Sequence, residues 1–154
     1  MPKRTISANR FATLVRPLLG LRVSRAWRGH GSVVFLELGK LRKVLSGRNP
    51  KGDATIMIEW SWRIETAGGI RSGSWSSERR LSNGISDLQG RRVVAVTVAG
   101  RLPEVEVELT GGRWLRSFMT DQGQPAWAVF LTDGTWLCVE RSHVVHDHRG
   151  RASG

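Results

Sequence analysis

The stretch Trp60-Ser61-Trp62-Arg63 places two indoles beside a guanidinium, the kind of platform that single-stranded nucleic acid or a sugar needs. Stacking on such a platform is worth roughly 1–3 kcal/mol per base. The chain has seven tryptophans and no tyrosine, and most of the seven lie in alternating apolar runs where core filling is the competing use. Glu104, Glu106 and Glu108 alternate along one strand face, and Glu59 and Glu65 share a face with Arg63. Paired carboxylates do general acid–base work when burial separates their pKa values. An exposed row held by cross-strand arginines is commoner, and Arg91, Arg92, Arg113 and Arg116 are placed to supply them. The same row would also suit a basic partner protein. Lys40, Arg42, Lys43, Arg48 and Lys51 form the densest positive segment and would contact phosphates in a nucleic-acid reading.

Other chemistry is poorly served. His143, His146 and His148 fit no zinc-ligand spacing, and Cys138 is a poor fourth ligand, so no metal site and no cofactor are expected. The chain lacks a Gly-x-Ser-x-Gly elbow, a Cys/His catalytic set, a metal-binding HExxH helix and a Gly-rich phosphate loop. The expectation is a protein that is not an enzyme.

The net charge is +11, with 24 basic residues against 13 acidic ones. A basic surface for phosphates is one explanation. Arginine-rich codon usage is the other, since 20 of the 24 are Arg and they are spread along the chain. The lone Cys138 rules out an intrachain disulfide and reads as a small buried hydrophobe. With no signal-like apolar segment and no run of about 18 apolar residues, a cytoplasmic protein without a membrane span is expected.

Period-two patterning dominates the elements that must position these residues. Ile56, Ile58, Trp60, Trp62 and Ile64 would share one face of a strand over 55–65, with Glu59, Arg63 and Glu65 on the other. Residues 21–27, 32–38, 70–80, 91–99, 104–109, 113–119, 126–132 and 135–141 also read as strands. Asp133-Gly134 suggests a type I′ hairpin turn. Phe11, Leu14, Val15 and Leu18 predict a short helix ending by Arg16, before Pro17 and Gly20. Residues 85–90 read as a short turn closed by Gly90. Residues 1–10 and 146–154 are expected to be flexible, with one β domain over 11–145.

The halves, about 11–80 and 85–141, read as copies of one unit. Gly20-Leu21-Arg22-Val23 matches Gly90-Arg91-Arg92-Val93, and Glu37-Leu38 matches Glu108-Leu109. Gly73-Ser74-Trp75, with Glu78-Arg79, is set against Gly134-Thr135-Trp136, with Glu140-Arg141. The expected fold is all-β: two tandem antiparallel meanders related by internal duplication, packed as a sandwich or a partly closed barrel, with a short N-terminal helix.

The runs from Ala54 to Glu65, from Gly73 to Arg80 and from Gly100 to Glu104, with Ser117-Phe118-Met119-Thr120, resemble a family of small uncharacterised bacterial proteins. The duplicated meander is similar in architecture to some immunity proteins of bacterial toxin systems. The resemblance supplies no functional residues; the charge-rich strand faces make Glu59, Arg63, Glu65, Glu104, Glu106 and Glu108 the expected contacts with a protein partner, a basic toxin surface in an immunity-type role. The alternatives are RNA or single-stranded DNA on Lys40, Arg42, Lys43, Arg48, Lys51, Trp60 and Trp62, and a small ligand or substrate held between the sheets.

Overall fold

A computed structural model describes residues 3–43, 49–121 and 125–148. In chain order these form β1 (Arg4–Ile6), α1 (Ala8–Val15), β2 (Val23–Arg28), β3 (Val34–Leu38), β4 (Ala54–Ile58), β5 (Trp62–Thr66) and β6 (Gly69–Gly73). There follow α2 (Glu78–Leu88), β7 (Val93–Ala99), β8 (Glu104–Leu109), β9 (Arg113–Ser117), β10 (Trp127–Phe130), β11 (Trp136–Glu140) and β12 (His143–Asp147). One sheet has the order β1-β12-β11-β10-β4-β3-β2, and the other β6-β5-β9-β8-β7. Every pairing is antiparallel among the described residues. Inward side chains of both sheets and both helices share one core, so the chain is an all-β sandwich with open edges rather than a closed barrel.

The amphipathic run 55–65 is not one strand. It is cut at residues 59–61, and its pieces, β4 and β5, lie in different sheets. Trp62 lies four positions after Ile58, an even step, so the alternation survives the cut and both side chains still aim inward. Ile56, Ile58, Trp62 and Ile64 are buried as the pattern requires, but Trp60 stands outside. A single-sequence period cannot show that a strand changes sheets.

The chain crosses again between Ser117 and Trp127, from β9 in the smaller sheet to β10 in the larger. The result is one arrangement used twice: β11-β10-β4-β3-β2 has the same connectivity as β6-β5-β9-β8-β7. The registers agree as well. Glu37 faces Thr55 and Glu108 faces Trp114, while Trp62 faces Ser117 and Trp127 faces Ile58. Matching bulges fall between Val23 and Arg25 and between Val93 and Ala95. The sheets meet at one corner, where Gly20 and Gly90 take left-handed backbone (φ 86° and 91°) and Arg22 pairs with Arg92. There the Gly20 N–H donates to the Val93 carbonyl and the Gly90 N–H to the Val23 carbonyl, both at 2.8 Å.

In these registers Leu38 and Leu109 hold like positions opposite Val23 and Val93, as Gly20 and Gly90 do at the corner, whereas the third pairing of residues does not hold. Gly73 lies opposite Arg63, and Cys138 lies opposite Ala128, so Gly73 corresponds in position to Cys138 rather than to Gly134. Trp75 precedes a helix, whereas Trp136 is in β11.

Four other expectations change. The strand expected over 70–80 ends at Gly73, and the supposed turn at 85–90 is the end of α2. Ser77 caps this helix by accepting the Arg80 N–H, and Leu81, Ile85 and Leu88 are buried at helical spacing. Gly84 lets the helix approach β6, since a Cβ there would sit 2.0 Å from Ser72 Oγ. Of the described residues in the ends expected to be flexible, Arg4 faces His146, and Thr5 and Ile6 face Val145 and Val144. In the hairpin at Asp133-Gly134 only Gly134 has positive φ, so the turn is not type I′. Asp133 instead accepts hydrogen bonds from the Thr135 N–H and hydroxyl.

Candidate functional site

The two crossover segments lie against each other, the Glu59 N–H donating to the Ala126 carbonyl (2.8 Å) and the Phe118 N–H to the Ser61 carbonyl (3.1 Å). At this point the ladder is interrupted, and a surface pocket of about 300 Å³ opens beside it. Trp60 and Trp75, which are 62% and 84% exposed, line it together with Phe118, Met119, Glu59 and Asp121. Burial drives most tryptophans inward. Two indoles left in water beside one concavity are therefore the informative feature of this surface.

Trp60 is held there against its own backbone preference. Its φ is +65°, a left-handed conformation that is strained for a bulky residue. Neighbouring contacts fix it. The Ser32 hydroxyl donates to the Trp60 carbonyl at 2.9 Å, Ser61 is buried, and the Trp62 N–H donates to Ser74 Oγ at 3.1 Å. Ser74 also precedes Trp75, so one short network sets both indoles. On the far wall, Glu104 accepts from Ser117 Oγ (2.7 Å) and from the Met119 N–H (2.8 Å).

The carboxylates singled out from the sequence thus have different fates. Glu59 lines the pocket and Glu104 braces it. Glu65 pairs with Arg63 at 2.6 Å, and Glu106 lies 3.6 Å from Arg116. Glu108 is half-buried opposite Ala95 and Trp114. These residues do not converge on one surface point, since Glu65 and Glu106 spend their charge on arginines of their own sheet.

The nucleic-acid set is divided too. Trp60 is exposed, but Trp62 is fully buried, its Nε1–H donating to the Ser32 carbonyl at 2.5 Å, so its faces are closed to a base. Lys40, Arg42, Lys43 and Lys51 are exposed, and Arg42 pairs with Asp53 at 3.1 Å. Arg48 lies outside the described residues. The basic segment leads into the start of β4 and Trp60 follows its end, a separation of roughly 15 Å along the strand.

Cys138 is buried, and burial pushes its thiol up to about 12, which makes it unreactive. Among the described residues no group of three His, Cys, Asp or Glu is placed to hold a metal ion, and no helix is long and apolar enough to cross a membrane. The pocket residues that the sequence did not single out as a site are Trp75, Phe118, Met119 and Asp121. Only the crossover brings them to Trp60. Compared with known proteins, the chain matches no family model, no curated protein and no solved structure.

Proposed function

We propose that this chain is a non-enzymatic binding domain that takes hold of a protein partner by a cationic side chain inserted between Trp60 and Trp75. The observation that carries the reading is the pair of exposed indoles flanking a pocket whose wall contains Glu59 and Asp121. A guanidinium or ammonium over an indole face gains about 0.5–2 kcal/mol, more as water is excluded. The carboxylates add Coulomb attraction, which nearby charges elsewhere on the +11 surface oppose only weakly beyond a Debye length of about 8–10 Å. At about 300 Å³ the pocket is at the small end of ligand sites, sized for one long side chain.

The competing readings have less support. Phosphates would meet Glu59 and Asp121 at Trp60 and Trp75, the tryptophans exposed among the described residues, and the basic segment lies at the other end of β4. Between the sheets, Trp62, Trp127 and Phe11 occupy the middle, with Phe11 edge-on to Trp127 at 5.8 Å. The correspondence of the two strand arrays supports, within the same reading, an origin by copying of one helix–hairpin unit.

The test is a titration of the native chain with an arginine-containing peptide, its glutamate counterpart and a single-stranded oligonucleotide, read by tryptophan fluorescence. Saturable quenching by the arginine peptide alone, abolished in Trp75→Ala, supports the proposal. Quenching by the oligonucleotide alone, or by none of the three, overturns it.

A further inference from the structure

The geometry points to a second binding site, for a tetrahedral oxyanion of the phosphate type, in the concavity enclosed by β1, α1 and β12. This hollow has a volume of about 470 Å³ and shares no residue with the Trp60–Trp75 pocket. Arg4, Arg10, His146 and His148 line it, with the Thr5 and Ser7 side chains between them, and no carboxylate does. Arg4 and His146 are directly opposite in the β1–β12 ladder, and His148 follows two residues on, on the same face. The two imidazoles lie 4.8 Å apart. Just inside, Ile6 pairs with Val144, which closes the core beneath the site.

Among the described residues the arrangement brings Arg4, Arg10 and two imidazoles together from three elements, with no carboxylate in the lining. Arg10 is within one turn of the helix start, but its backbone N–H is already taken by Ser7 Oγ at 3.1 Å, so the site rests on side chains and not on the helix end. Glu140, close by on β11, is occupied by Lys3 at 2.8 Å. Such convergence of like charge is costly unless an anion completes it.

His146 is oriented for the purpose. The Thr135 hydroxyl lies 2.6 Å from Asp133 Oδ1, which also accepts the Thr135 N–H. With its proton donated to Asp133, Thr135 Oγ1 accepts from His146 Nε2–H at 3.0 Å. Nδ1 is then the nitrogen that gains or loses a proton. Burial, His148 and Arg10 hold His146 below its ordinary 6.5, while Asp133 and Asp147 act in the opposite sense. A bound dianion favours the protonated ring, so acid strengthens binding and binding raises the pKa of His146.

Sulfate is the direct probe, because its charge is constant across the histidine range. In the native chain, His146 and His148 ring signals are followed by NMR as sulfate is added against chloride at matched ionic strength. The expected result is saturation, with affinity about tenfold higher at about pH 5.5 than at about pH 8. Arg10→Gln and His148→Asn, both at exposed positions, weaken binding and leave the peptide response of the Trp60 pocket intact. Inorganic phosphate and glycerol phosphate, compared in the same assay, tell free phosphate from a phosphate monoester. Sulfate no more effective than chloride, equal affinity at the two pH values, or an unaltered Arg10→Gln variant overturns the assignment, and each leaves the Trp60–Trp75 reading standing.

Discussion

Trp62 and Trp127 clamp the two sheets to each other in reciprocal fashion. Trp62, in the smaller sheet, donates its Nε1–H to the carbonyl of Ser32, in the β2–β3 loop of the larger. Trp127, in the larger sheet, donates to the carbonyl of Pro103 at 3.0 Å, in the β7–β8 loop of the smaller. Both are fully buried, and each is the first residue of a strand that follows a crossover. The indoles therefore fill the core and satisfy carbonyls that the sandwich would otherwise bury without a donor.

Replacement of either tryptophan by Phe is expected to cost about 2–3 kcal/mol, from lost ring area and a stranded carbonyl. Replacement by Ala is expected to cost about 3–5 kcal/mol. Urea unfolding measures both, and the equivalence of position requires similar losses at 62 and 127. A loss confined to one of the two would mean that the clamps are not equivalent.

Trp60 should show the opposite balance between stability and binding. Its left-handed backbone is strained, and its side chain is mostly in water. Trp60→Gly removes the strain and is expected to stabilise the fold by about 1 kcal/mol, while the arginine-peptide response is lost. Denaturation and the peptide titration, run on the same variant, check the two halves. A destabilised Trp60→Gly would show that the indole is needed for packing.

Much of the sandwich was legible because alternation follows from the pleat. Val105, Val107 and Leu109 are buried and Glu104, Glu106 and Glu108 half-exposed, as the pattern of β8 requires. Helix α1 was legible because Pro17 and Gly20 mark its end. Helix α2 was not, although Ser77 and the spacing of Leu81, Ile85 and Leu88 carried the signal. Its polar residues hid a narrow apolar stripe behind an expected strand. Of the site, Glu59 and Trp60 were visible as residue types. Their convergence with Trp75 and Phe118 depends on a sheet change that leaves the period unbroken, so no local pattern could report it.

Glu37 was read only as a matched letter between the halves, yet it is the most enclosed carboxylate described. It is 1% exposed and accepts from Trp27 Nε1 (3.0 Å), the Gly52 N–H (3.0 Å) and the Thr55 hydroxyl (2.5 Å). It thus ties the Gly52 end of the basic segment to β3 and β4. Glu37→Ala strands three donors and is expected to cost about 3–5 kcal/mol. Equilibrium denaturation checks the cost, and faster hydrogen exchange at the Gly52 amide identifies the cause. A loss below about 1 kcal/mol would mean that water replaces the carboxylate readily.

Asp87 is expected to contribute to the sensitivity of the fold to acid. From the end of α2 its carboxylate meets Arg113 at 2.6 Å, Arg91 at 3.0 Å and Arg71 at 3.8 Å, so that one anion joins the helix to β6, β9 and the approach to β7. Burial alone would raise its pKa, but the hydrogen bonds and charges of Arg113 and Arg91 outweigh it and hold the group below the ordinary carboxylate value. A depressed pKa in the folded chain stabilises the fold at pH values above about 3.9, the unfolded value. That contribution is lost as the pH falls through the folded value. Asp87→Asn is therefore expected to lower the melting temperature at neutral pH, with the gap from the parent chain closing in acid. Melting curves at a series of pH values decide the matter, since a gap that stays constant through the acid range would place the loss in packing rather than in charge.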